Sequence, residues 1–192
     1  MSCMVIGDEK RVVDMVKLGY RSAIIRATVP SVSWLRLRKI CRSLGVETMD
    51  RGPLPTSRRI LRTAKSCLGG SVLMSIYERL HPKASVTIKM SALETALRIY
   101  SALREDTPSL GDPIDNNAAW VLARDLRSAE VFWADCACGF RYLICTASLR
   151  PDACPACVIQ REEGPPKKRK KKAPAPMFPS AHDGRFMAHV EF

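Results

Sequence analysis

Two pairs of closely spaced cysteines, Cys136-Ala-Cys138 and Cys154-Pro-Ala-Cys157, constrain this chain more than any other feature. Fifteen residues separate the pairs, enough for a short hairpin and too few to bury a core of their own. Five of the eight cysteines fall between Cys136 and Cys157, a clustering that points to metal rather than to a disulfide framework. Four thiolates satisfy a tetrahedral divalent ion, and each pair supplies two ligands from one tight turn. The expected cofactor is therefore one structural Zn2+ held by Cys136, Cys138, Cys154 and Cys157. The first pair is narrower than the usual zinc knuckle, so Cys145 stands as an alternative to Cys136, against its reading as a small buried apolar residue. A redox Cys-x-x-Cys at Cys154 and Cys157 is the competing chemistry. A catalytic zinc is disfavoured, because four thiolates leave no open position and no His or Glu lies nearby in sequence as a base.

Upstream, the apolar pattern is helical. Aromatics make up only 6% of the 192 residues, while Leu, Ile, Val, Met and Ala dominate, which fits packed helices better than a β-sandwich. The spacing predicts a helix from Lys10 to Val29 with Gly19 as a weak point, ended by Pro30. A second runs from Ser31 or Ser33 as cap through Leu37, Ile40 and Leu44 to Gly45, giving a helix-turn-helix-like layout. Prolines at 53 and 55 make Met49 to Thr56 a connector. Further helices are expected over Ser57 to Leu68, broken or bent at Gly69 and Gly70, then Ser71 to Leu80, Val86 to Leu103 and Asn116 to Phe132.

The fold class is thus mainly α, a multi-helix domain followed by a small four-cysteine zinc module and a disordered basic tail. The boundaries are a helical DNA-binding and partner-binding domain over 1–132, the zinc module over 133–160 and the tail over 161–192. The run Lys167 to Lys172 among prolines repels itself and cannot build a core. It reads as a nuclear localisation signal in a eukaryotic or viral host and as a non-specific hold on DNA in a bacterium.

Charge is segregated along the chain. The net charge is +12, and the interval from Arg36 to Lys65 holds nine basic residues against Glu47 and Asp50. Residues 101–135 reverse this, with seven acids against three arginines. A phosphate backbone is drawn to the first interval and repelled by the second. Arg36, Arg38, Lys39, Arg42, Arg58, Arg59 and Arg62 are therefore the candidate DNA contacts, the first four on one helix whose apolar side holds Leu37 and Ile40. For any one of them the simpler reading is a solvated helix face. A membrane is the weaker partner, since no apolar stretch approaches the roughly 20 residues of a bilayer span. Asp8, Glu9, Lys10 and Arg11 interrupt any signal-peptide core, so a cytoplasmic location is expected.

The order of these features resembles the FlhC family of flagellar transcriptional activators from about Val12 to Gln160. Met15-Val16-Lys17-Leu18-Gly19-Tyr20-Arg21 is similar to the family's leucine-glycine-x-arginine helix. The stretch Leu35 to Gly45 is similar to its basic helix, and Gly52-Pro53-Leu54-Pro55-Thr56 to its glycine-leucine-proline segment. Ala96 to Tyr100 and Asn116 to Arg124 resemble the helices before its cysteine module, which Cys138-Gly139 and Cys154-x-x-Cys157 match. The chain departs from the pattern at Arg58, Arg59 and Ile60, where the family carries more aromatics, and in its narrower first cysteine pair. The resemblance implies an activator of flagellar operons that works in a hetero-oligomer with FlhD, binds promoter DNA and recruits RNA polymerase, with no catalysis. The alternative is a zinc-containing interaction or scaffold module without sequence-specific DNA binding.

Overall fold

The computed structural model describes residues 6–46, 52–110, 113–146 and 154–163. It is mainly helical, with eight α-helices and one two-stranded sheet among these residues. The basic tail from 164 onward lies outside the described residues, as does Arg51.

Helix α1 (Ile6–Lys17) starts with Asp8 and Glu9 in its first turn and ends with Lys17, charges that complement the helix dipole. It buries Val12, Met15 and Val16 along one stripe. Gly19 then takes φ +74, and the Tyr20 N–H reaches back to the Met15 carbonyl at 3.0 Å while the Gly19 N–H reaches Val16 at 3.0 Å. This paired closure suits a residue without Cβ. The continuous helix expected from Lys10 to Val29 is therefore two, the second being α2 (Ser22–Thr28). The turn between them is stitched to α7 (Asn116–Arg127), because Asn117 accepts from the Arg21 N–H at 2.8 Å and donates to the Gly19 carbonyl at 3.1 Å.

Val29 to Ser33 lead into α3 (Trp34–Ser43), where the Ser33 hydroxyl accepts from the Arg36 N–H. Leu37, Ile40 and Cys41 turn inward, and α3 packs on α1. Gly45, at φ +70, closes α3 as Gly19 closes α1, with the Val46 N–H on the Cys41 carbonyl at 2.9 Å.

The middle of the chain departs from its sequence reading. Only Ser57–Ile60 form α4, and the break falls at Thr63, whose capping box with Ser66 starts α5 (Ala64–Leu80). Helix α5 runs unbroken through Gly69 and Gly70. A Cβ at Gly69 would sit 2.5 Å from Tyr100 Oη and 2.6 Å from the Leu110 carbonyl, and one at Gly70 would sit 2.7 Å from Leu61 Cδ2. The glycines are points of close approach for α6 (Met90–Asp106), for the 3-10 turn Pro108–Leu110 and for Leu61, rather than helix breakers.

Helix α7, capped by Asp115 on the Ala118 N–H, is deeply buried, and Ala119, Val121, Leu122 and Ala123 have no solvent exposure. It ends at Arg127, and Ala129 adopts φ +58, turning the chain into strand β1 (Val131–Asp135). Phe132, expected at the end of a helix, is thus an exposed strand residue. Strand β2 (Arg141–Cys145) pairs antiparallel with β1, Val131 opposite Cys145 and Asp135 opposite Arg141. Helix α8 (Pro155–Glu163) lies against α5. Val131, Leu143 and Cys145 join the main core, while Cys67, Tyr142 and Cys154 form a smaller one beside it.

Candidate metal centre and basic surfaces

The hairpin tip and the start of α8 converge on four thiols. After β1, the Cys136 N–H bonds the Phe140 carbonyl at 3.0 Å and the Gly139 N–H bonds the Cys136 carbonyl at 2.9 Å, with Gly139 at φ +85. That tight turn sets Cys136 and Cys138 side by side. Cys154 immediately precedes α8, Pro155 occupies its first position, where a missing N–H costs nothing, and Cys157 lies in its first turn.

The Sγ atoms of Cys136, Cys138, Cys154 and Cys157 all lie within 4.8 Å of one another. Cys136 and Cys157 are 3.9 Å apart, and Cys138 and Cys154 are 3.8 Å apart. A tetrahedron with metal–sulfur bonds of about 2.3 Å has sulfur–sulfur edges of about 3.8 Å, so the spacing fits a divalent ion at the centre. Backbone N–H groups also serve the sulfurs: that of Phe140 points at Cys138, and those of Ala156 and Cys157 point at Cys154. With Cys154 and Cys157 at the N-terminal end of α8, these dipoles favour thiolate.

Four thiols in contact cannot all ionise without a cation, and their acidities diverge accordingly. The Phe140 amide, followed by neighbouring thiols, pulls Cys138 down to about 7. Cys157, hydrogen-bonded with Cys138 and Cys136, is pushed up to about 12. A bound cation removes this conflict, because it stabilises all four thiolates together. This four-cysteine group can hold a metal ion.

Cys145 stands apart, buried in the main core with its Sγ 3.5 Å from Ser57 Oγ. Cys67, outside the ligand set expected from the sequence, is the thiol beside the group. Its Sγ meets the Leu143 carbonyl at 3.4 Å, and burial pushes its acidity to about 11. The 76 residues between Cys67 and Leu143 hide this contact from any local pattern.

All seven candidate basic residues are solvent-exposed. Arg36, Arg38, Lys39 and Arg42 project from α3, which rests on α1. Arg58 and Arg59 lie on α4, which rests on α7 and α5, and Arg62 follows in the loop before α5. Arg36 is the one already engaged, in an ion pair with Glu9 of α1. Arg59 and Arg62 line a cleft of about 800 Å³ with Arg21, Pro53, Thr63 and Asp115. Arg21, outside the candidate set, donates to the Pro53 carbonyl at 2.6 Å and so ties the proline segment to the start of α2. His81 binds Thr87 through its Nε2, 2.9 Å from Thr87 Oγ1, as a helix-end residue. No helix among the described residues is long and apolar enough to cross a membrane.

These features define a class: a small helical protein with a four-thiol group able to hold an ion and cationic helices on its surface. The family model of the flagellar transcriptional activator (FlhC) matches residues 4–173, which include the four cysteines and every candidate basic residue. The chain belongs to the FlhC family. That family is one of transcription factors rather than enzymes, and it implies transcription activation and flagellar regulation. No individual curated protein matches the chain.

Proposed function

We propose that this chain binds promoter DNA of flagellar operons in the cytoplasm, in a hetero-oligomer with an FlhD-like partner, and there engages RNA polymerase. The observation that carries this reading is the exposed cationic face of α3, in a chain matched by the flagellar activator family over residues 4–173. Arg38, Lys39 and Arg42 are the nearest candidates for phosphate or base contact, with Arg58, Arg59 and Arg62 as a second group and Arg36 available once Glu9 releases it.

Residues 1–132 serve as the DNA-binding and partner-binding body, 133–160 as the zinc module, and the part of 161–192 that follows α8 as a tail adding salt-sensitive affinity. Cys136, Cys138, Cys154 and Cys157 hold one structural zinc. When bound, the ion supplies cross-linking of the hairpin tip to α8 and no reaction chemistry. The test is co-expression with the FlhD-like partner, sizing of the complex and footprinting on a flagellar promoter. A stable complex that protects a defined site supports the reading. A chain that forms no complex and protects nothing contradicts it.

A further inference from the structure

Helix α3 carries an apolar residue where its solvent-facing side is most cationic. Leu35 is 70% exposed and its neighbour Trp34 is 48% exposed, although α3 buries a complete stripe of Leu37, Ile40 and Cys41 against the body. At 3.6 residues per turn, Arg38, Lys39 and Arg42 each fall within about 60° of Leu35 around the axis, on either side of it. Leu35 therefore lies opposite the buried stripe, in the middle of the basic face.

Its place along the helix matters as much. Leu35 is the second residue of α3, two positions after the Ser33 cap, and no acidic residue occupies the first turn. This is the positive end of the helix dipole and the end that a recognition helix presents to base edges when it lies in a major groove. Cations farther along can grip phosphates, which gives affinity without sequence information. A leucine can do the converse. It has no hydrogen bond to offer, and the one apolar group displayed in the major groove is the thymine C5-methyl.

We infer that Leu35 is a specificity-determining residue that packs on a thymine methyl group of the target duplex, while Arg38, Lys39 and Arg42 hold the backbone around it. This rests on the DNA-binding reading above and assigns that surface a sequence preference. Duplex DNA is the favoured occupant because the apolar patch is ringed by cations on its own helix. An acidic protein surface is the competing occupant.

The test uses the full chain with its FlhD-like partner, the promoter duplex, a scrambled duplex, and promoter duplexes in which single thymidines are replaced by deoxyuridine, which lacks only the methyl. Leu35→Ala keeps the helix, since alanine is the better helix former and the site is exposed, and circular dichroism checks this. Wild-type protein is expected to prefer promoter over scrambled DNA and to lose affinity at one or two deoxyuridine positions. Leu35→Ala should lower the promoter-to-scrambled ratio about ten-fold, the scale of one lost base contact. It should also be indifferent to deoxyuridine at those positions, with an unchanged salt slope. Promoter preference and deoxyuridine sensitivity unaltered in Leu35→Ala would overturn the inference alone, as would loss of partner assembly with DNA preference intact. Wild-type protein that binds neither duplex, or both equally, would overturn the DNA-binding reading and this inference with it.

Discussion

The Ser71 hydroxyl accepts a hydrogen bond of 3.0 Å from the Leu143 backbone N–H and donates one of 2.7 Å to the Cys67 carbonyl. The Leu143 carbonyl in turn receives the Cys67 thiol. Both backbone groups of Leu143 are thus satisfied by α5, on the side of β2 turned away from β1. A two-stranded hairpin is marginal alone, and here one face of a helix stands in for a third strand. The hairpin that presents Cys136 and Cys138 is thereby fastened to the helical core.

Ser71→Ala would leave the Leu143 N–H buried without a partner. The expected loss is about 2 kcal/mol, or roughly 4–8 °C in melting temperature for a chain of this size. Metal content should stay at one ion per chain, because no ligand is removed. Thermal denaturation with elemental analysis checks both.

Gly69→Ala should also destabilise. Helix propensity alone favours alanine by about 1 kcal/mol, but the new Cβ would meet Tyr100 Oη and the Leu110 carbonyl at 2.5 and 2.6 Å. Overpacking of this kind costs about 1–3 kcal/mol, so the net change is negative in urea denaturation. Ala129→Gly has the opposite sign, since φ +58 strains a residue with a Cβ. It should gain up to about 1 kcal/mol.

Arg36 and Arg38 should behave differently on DNA. Arg38→Ala and Arg42→Ala are each expected to reduce the slope of log affinity against log salt by about 0.9, one phosphate contact apiece. Arg36→Ala should cost less, because its guanidinium is paired with Glu9. Glu9→Gln frees that guanidinium and should raise affinity, as fluorescence anisotropy in a salt series would show.

The metal centre makes a clean contrast among cysteines. Wild-type protein should carry one zinc per chain, and Cys154→Ser should lose it. Cys67→Ser should keep it, since Cys67 lies beside the four thiols without belonging to them. Chelation should unfold the tip and α8, seen as new proteolytic cleavage there.

The structure also separates what local sequence carries from what it does not. Gly45 and the Ser33 cap are legible because helix ends are written within a few residues, whereas Gly19 reads only as a weak point in a longer helix because apolar residues recur on both sides of it. The cysteine group was legible because each ligand pair is local. Gly69 and Gly70 read as a break or bend because propensity takes no account of tertiary neighbours such as Tyr100, whose approach makes glycine the residue that fits at 69. Phe132 was read as helical because its apolar spacing continues that of α7, and only the left-handed Ala129 ends the helix first. The contacts of Ser71, Cys67 and Asn117 are not legible locally, because their partners lie 72, 76 and up to 98 residues away.

The most direct measurement is the affinity of the full chain, assembled with its FlhD-like partner, for a flagellar promoter duplex and a scrambled duplex between low and moderate salt. The expected result is a steep loss of affinity with salt on both duplexes, with the promoter bound at least a thousand-fold more tightly, about the low end for specific DNA-binding proteins. Equal affinity for the two duplexes, or binding that ignores salt, would contradict the account.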